Sequence, residues 1–344
     1  MHMSRPRTAS RVRAARPLAA VLATGLLTAA CGGGGGAGDP TVADDGGAAL
    51  GRPITIVVPF NPGGGADSVS RAASKVMEKQ LGVGMPAINV PGATGSTGLT
   101  RMLSGSPDES VATLIQDTLA TIPAGSAAFS LDDIQAVCRL QEMPSGLFVR
   151  KGTYADWEEL KAAAMKHQGE LQAATVGTGG VDDIVLAALA KSHGTRFRPV
   201  PYSDPAERYS ALLGGSADLM YEQLGDVREY VESGDMVPLM VFWPKPVKGY
   251  EDVPLATDLG VPKEVIIPQF RGLVASADAS DAMVGQVSDA CAAATKDPGF
   301  QKFQKEVYAT PDSYQSAKEF QTFLQQQEQK ISVLLDKYRI ETSG

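Results

Sequence analysis

Cysteine is scarce, three in 344 residues, with no C-x-x-C pair and no His/Cys cluster, so no metal site is indicated. His167 and His193 fall on or at the ends of helical segments, where exposure is expected. No Ser/His/Asp or Cys/His set can be assembled from them at recognisable positions. A Gly-x-Ser-x-Gly elbow is missing, and Gly63-Gly64-Gly65 lacks both the Gly-Lys-Ser/Thr ending of a phosphate loop and Gly-x-Gly-x-x-Gly spacing. These absences argue against a hydrolase or phosphoryl-transfer enzyme, and no cofactor is expected. Excess positive charge is also lacking. The net charge of −8 argues against nucleic acid, while an acidic protein can still hold an acidic ligand where backbone N–H groups line the site. No internal apolar run is long enough to span a bilayer.

What is present begins with a targeting segment over residues 1–30. Arg5, Arg7, Arg11, Arg13 and Arg16 form a basic region, and Leu18 to Ala30 are apolar. Leu-Leu-Thr-Ala-Ala-Cys31 resembles a bacterial lipobox, with Thr28 where Leu is commoner. It implies cleavage before Cys31 and lipid on that sulfur; an ordinary signal peptide with an incidental Cys is the alternative. Residues 31–51 are Gly-rich and apolar-poor, as a flexible tether is. The mature protein is expected outside the cytoplasmic membrane, held by lipid. In that oxidising compartment Cys138 and Cys291 could pair, but two buried thiols are the simpler reading of the sequence.

The rest is organised around Ile54 to Arg71. Ile54, Ile56, Val57 and Val58 read as a strand covered on both faces. Pro59 to Gly65 can only be loop, and Asp67 is a good cap for a helix that Gly82 stops. Free N–H groups and a helix N-terminus meet there, a setting that attracts anions. Ala87 to Val90, Pro91 to Gly98 and a helix from Leu99 repeat the plan. Leu171 to Val176, Gly177 to Asp183 and Ile184 to Lys191 repeat it again. Strand, glycine loop and helix in succession imply parallel strands with right-handed crossovers, and ligands of such sheets lie beyond the C-terminal strand ends. Val111–Ile115, Ala136–Leu140, Gly146–Val149, Ala217–Glu222 and Val237–Phe242 are further strands. After Trp243 to Pro254 the remainder reads as mostly helical, with helices over Asp281–Thr295, Phe300–Tyr308 and Ala317–Lys337 placed back on the first domain.

Pro53 to Asp67, Val90-Pro-Gly-Ala-Thr-Gly95, Val200-Pro-Tyr202, Leu212 to Asp218 and Asp252 to Gly260, in that order behind a lipobox, are similar to strings of the TctC or Bug receptors of tripartite tricarboxylate transporters. The resemblance covers residues 52–340. It implies an α/β, two-domain, periplasmic-binding-protein-like fold of type II, with a mostly parallel sheet in each domain and the ligand cleft between them. Domain 1 is expected over 52–140 and 251–344, domain 2 over 141–250. It also implies an extracytoplasmic monomer, not an enzyme, that closes on a small organic acid and presents it to membrane permease subunits. A sensory partner of a receptor kinase would use the same cleft.

In the family, two loops of the first domain hold a ligand carboxylate mainly by backbone N–H groups and bridging waters. Carried onto this chain they give Phe60, Asn61, Gly64, Gly65 and Asp67, then Ala93, Thr94, Gly95 and Ser96. The second domain would close with Thr178, Gly179, Tyr202, Ser203 and Glu222. Taken singly, Asp67 reads as a helix cap with its charge turned away, Arg71 as its partner or a solvated residue before a ligand contact, Tyr202 as ligand contact or core, and Arg271 as a surface residue before a source of positive charge for the cleft. One departure stands out: a His often stands where Asp182 and Asp183 fall, and Glu222 is unexpectedly acidic. Either those carboxylates point away as caps, or the ligand carries a donor or cationic group there.

Overall fold

Ile54, Ile56 and Val58 point into one apolar cluster and Val57 into another, so the first strand is buried on both faces as its β-branched run requires. The computed structural model describes residues 50–340; the leader, Cys31 and most of the tether lie outside the described residues. The chain runs β1 (Thr55–Val58), α1 (Gly65–Leu81), β2 (Ala87–Asn89), α2 (Ser96–Leu103), β3 (Ser110–Ile115), α3 (Gln116–Ala120) and β4 (Ile134–Met143). After Pro144 come β5 (Ser145–Arg150), α4 (Trp157–Lys166), β6 (Gln172–Thr175), α5 (Val181–His193), β7 (Arg198–Pro201), α6 (Pro205–Gly214), β8 (Leu219–Gln223), α7 (Arg228–Glu232) and β9 (Met236–Phe242). The last part is β10 (Gln269–Ser276), α8 (Asp281–Ala294), α9 (Pro298–Glu306) and α10 (Ala317–Tyr338).

Two five-stranded sheets result, ordered β2-β1-β3-β10-β4 and β7-β6-β8-β5-β9. In each, four strands point the same way and one, β10 or β5, runs against both of its neighbours. Each sheet carries apolar clusters on both faces, giving two lobes of helix, sheet and helix. This is the expected α/β plan of two mostly parallel sheets.

β10 is a correction to the sequence reading, which has the region after the Pro-rich crossing mostly helical and places no strand there. All eight residues from Gln269 to Ser276 are buried in the middle of the first sheet. The chain therefore leaves that sheet at Pro144 and rejoins it at Gln269, and on the way Val261, Val265 and Ile267 pack on the second lobe. The helices also divide differently. α8 and α9 lie on the first sheet, through Met283, Val287 and Phe300. α10 serves both lobes: Phe320, Phe323 and Leu324 pack on the first, whereas Ile331, Leu334 and Leu335 join the cluster of Trp157 and Ile184 in the second. His193 is half-buried, its ring edge-on to Trp157 with centroids 5.2 Å apart, not exposed.

Helix ends follow the sequence closely. Asp156 accepts from Glu159 N at 3.0 Å, and Gly82 takes the left-handed conformation that stops α1. Cys138 of β4 and Cys291 of α8 are joined by a disulfide, S–S 2.08 Å, inside the first lobe. Of the two sequence-compatible states, the protein has the paired one.

Candidate functional site

α1 begins at Gly65, with Gly64 as a cap that has no side chain to offer. Its first N–H groups therefore have no partner from the helix or from a capping side chain. Asp67 is not the N-cap; it sits two residues into the helix and reaches back to accept from Gly63 N at 3.1 Å. Its other oxygen takes Arg71 Nε and Asn89 Nδ2, each at 2.9 Å. Burial works against the Asp67 charge, but these bonds outweigh it and hold the carboxyl below its usual range. The side chain thus rigidifies the loop with its charge turned inward, and Arg71 is its partner.

Arg271 fills the space in front of this helix. A Cβ on Gly65 would fall inside its guanidinium, so the glycine is required by the close approach of the arginine. The expectation of a surface residue is overturned: Arg271 is 5% exposed, because it stands on a central strand. It donates to Gln141 Oε1 at 3.3 Å and forms an ion pair with Asp226 of the second lobe. A guanidinium beside the positive end of a helix makes a spot that calls for an anion.

The second glycine loop holds Ala93 and Thr94 at φ of +47° and +51°, a conformation non-glycine residues rarely take. Gly95 follows at φ +93°, and a Cβ there would overlap Thr118 Oγ1 and meet Phe60 at 3.2 Å. The loops are therefore packed against each other and against the junction of β3 and α3. That junction, Gln116, Asp117 and Thr118, is buried, and among the described residues neither amide atom of Gln116 nor Thr118 Oγ1 has a hydrogen-bond partner. Ser96 is taken up structurally, accepting from Ala128 N at 3.2 Å.

The second lobe faces these loops directly. Asn61 Nδ2 donates to Asp204 Oδ2 at 2.7 Å, Gly64 stands against Pro205, Thr94 lies against Gly177, and Asp117 accepts from Val181 N at 3.3 Å. Gly179 is buried and Thr178 exposed; the Gly179 N–H is held by Asp183 at 2.6 Å. Tyr202 is half-buried on the second-lobe core and Ser203 is exposed beside Asp204. Glu222 is buried and fully engaged, by Arg208, by the Tyr209 hydroxyl at 3.3 Å and by Gln223 N at 3.0 Å. Burial opposes the Arg208 charge, but Glu222 more than offsets it and the guanidinium stays protonated.

The sequence-expected residues of the first lobe thus come together with Asp204, Pro205 and Gly177 across the gap between the lobes. A recess of about 510 Å³ opens beside Gly63, Tyr209 and Asp226. A larger one, about 710 Å³, lies around Trp243, Lys248 and Tyr308 and includes none of the glycine-loop residues. The fold places ligand contacts at strand ends, so the gap and not the larger recess is the candidate site.

The family model of the tripartite tricarboxylate transporter family receptors matches residues 69–340. This chain belongs to that family. A relative from Agrobacterium vitis, the UPF0065 protein in the TAR-I ttuE-ttuC' intergenic region, is 28% identical over 266 residues, 75% of this chain and 76% of its own. The periplasmic binding protein BugD superposes with a TM-score of 0.79 at 23% identity, over 86% of this chain and all of BugD. MatC from Rhodopseudomonas palustris, with bound malate, gives 0.77 at 24% identity, over 83% and 99%. The receptors of this family are substrate-binding proteins, and the shared fold is the two-lobed one described above.

Sequence reasoning missed Gln116, Asp117, Thr118, Arg208 and Asp226, and set Arg271 on the surface in preference to the cleft. For the first three a signal existed: Ser110 to Ile115 is an apolar strand, and the polar triplet follows at the same end as the glycine loops. For Arg271 none was visible without β10.

Proposed function

We propose that the protein is an extracytoplasmic solute receptor that captures a small organic acid between its lobes and delivers it to the permease of a tripartite tricarboxylate transporter. The observation that carries this reading is the bare start of α1, with unpartnered N–H groups at Gly64, Gly65 and Ala66 and the Arg271 guanidinium beside them. Malate in the related MatC supports a carboxylate as the ligand class. Lipid on Cys31 would keep the receptor at the membrane, and no covalent step is involved.

Capture starts on the first lobe, where each N–H···O⁻ bond contributes about 1.5–3 kcal/mol. The second lobe then swings over the ligand, and Asn61–Asp204 and Arg271–Asp226 form as it arrives. Calorimetry against di- and tricarboxylates and aromatic acids tests the reading. Binding of at least one is expected; a cooperatively folded protein that binds none of them contradicts it.

Gly95→Val probes the second loop. A side chain there strains a backbone at φ +93° and collides with Thr118 and Phe60, so stability should fall by about 1–3 kcal/mol and binding should be lost. Unchanged affinity in calorimetry would remove this loop from the site.

A further inference from the structure

The recess of about 710 Å³ around Trp243 takes no part in the cleft, since no glycine-loop residue lines it. It lies against Pro144, where the chain passes from β4 to β5, and both lobes build its walls. The second lobe supplies Trp243, just after β9, and the loop that follows as far as Glu251. The first lobe supplies Lys305, in the last turn of α9, and the segment from Tyr308 to Pro311.

These walls are held in place. Glu251 accepts from Gly249 N at 2.8 Å, and Tyr250 N donates to Val247 O at 2.9 Å, which fixes the second-lobe loop. Thr310 N donates to Glu142 O at 2.9 Å and so ties the opposite wall to β4. Tyr308 is kept at φ +55°, a costly conformation for a residue with a side chain, with its ring edge-on to buried Tyr250 at 5.2 Å. A pre-formed hollow of this volume is of the size that takes a small molecule.

Its chemistry is two-sided. Pro144 and Trp243 are buried and Val247 and Tyr308 half-buried, which makes an apolar floor. The rim carries Lys245, Lys248 and Lys305, all exposed, and among the described residues none of the three forms an ion pair. The acid on this lining is Glu251, whose carboxylate is already engaged by the Gly249 N–H. On a chain of net charge −8, positive charge thus collects around one apolar hollow. Ammonium groups so grouped repel one another until an anion sits among them. A neighbouring recess of about 290 Å³ shares Lys305, Thr310 and Pro311 and adds Leu140 and Tyr314, which gives an occupant room to extend.

We propose that this recess is a second ligand site, outside the cleft, for an anion with an apolar body, of the class of medium-chain carboxylates. The body lies on Trp243 and Tyr308, and the anionic group sits among the three lysines. The proposal goes beyond the receptor reading, because no cleft residue takes part.

Calorimetry with octanoate and 1-octanol, alike in body and different in charge, tests it. Octanoate should bind at least tenfold more tightly than 1-octanol, and added NaCl should weaken octanoate alone. The triple variant Lys245→Gln, Lys248→Gln, Lys305→Gln changes only exposed side chains, so its melting temperature should hold. Its affinity for octanoate should fall about tenfold, and that for 1-octanol should move less than threefold. Trp243 is one of two tryptophans, and the other, Trp157, is packed in the second-lobe core, so octanoate should also shift the tryptophan emission. Gly95→Val and Arg271→Met, which disable the cleft, should bind octanoate within threefold of the parent protein. Absence of octanoate binding, equal binding of 1-octanol, or a triple variant of unchanged affinity would overturn the proposal. Loss of octanoate binding in both cleft variants would overturn it too, by placing the anion in the cleft. A failure of the receptor reading shows elsewhere, in the panel of di- and tricarboxylates and aromatic acids, and leaves the octanoate result as it is.

Discussion

Arg271→Met is expected to weaken binding of the organic acid by about 100-fold, the loss of roughly two charge-assisted hydrogen bonds. The same substitution strands Asp226, whose side chain is 9% exposed, without its cation. Removing one partner of a buried pair costs about 3–5 kcal/mol, so the melting temperature should drop as well. Asp226→Asn separates the two roles. It unpairs the arginine but leaves its charge at the start of α1, so stability should fall while affinity is kept or improved. Equal losses of affinity in both variants would mean that Arg271 acts only as a tie between the lobes. Urea unfolding and calorimetry on the two proteins suffice to decide.

Removing the Cys138–Cys291 bridge has the second largest expected effect. The bridge spans 153 positions of the chain, and cross-links over long loops restrict the unfolded state most, by about 2–5 kcal/mol in practice. Cys138→Ala with Cys291→Ala should therefore lower the melting temperature by roughly 5–10 °C. Both sulfurs lie in the core under the first sheet, between β4 and α8, so affinity should change less than threefold. An unaltered melting temperature would show that the packing of α8 alone holds that face.

The glycine loops were legible because the constraint is local. Gly63, Gly95 and Gly179 all have positive φ, and each precedes a helix start that the hydrophobic spacing also marks. The stop of α1 at Gly82 was legible for the same reason, whereas its start lies before Asp67, at Gly65. What the sequence hid is non-local. β10 is a short apolar run among helices, recognisable as a strand only once β3 and β4 lie on either side of it. Arg271 was set on the surface in consequence, since a basic residue inherits burial from its strand and not from its own chemistry. The disulfide depends on α8 crossing β4, and the contact of Asp117 with the start of α5 depends on the two lobes meeting. The doubt about Asp182 was nevertheless visible, as an acid where the family often has a His.

α10 has a consequence of its own. Its apolar residues anchor in one lobe up to Leu324 and in the other from Ile331, and the turns between them are Gln325-Gln-Gln-Glu-Gln-Lys330, with hardly an apolar group among them. A protein clipped after Lys330 would keep its first half seated yet bare the seat of Ile331, Leu334 and Leu335 beside Trp157. The C-terminal tail is thus a shared keystone: neither half of the molecule should melt as a separate calorimetric transition while that helix is intact, and aggregation should begin from the second half once it is trimmed.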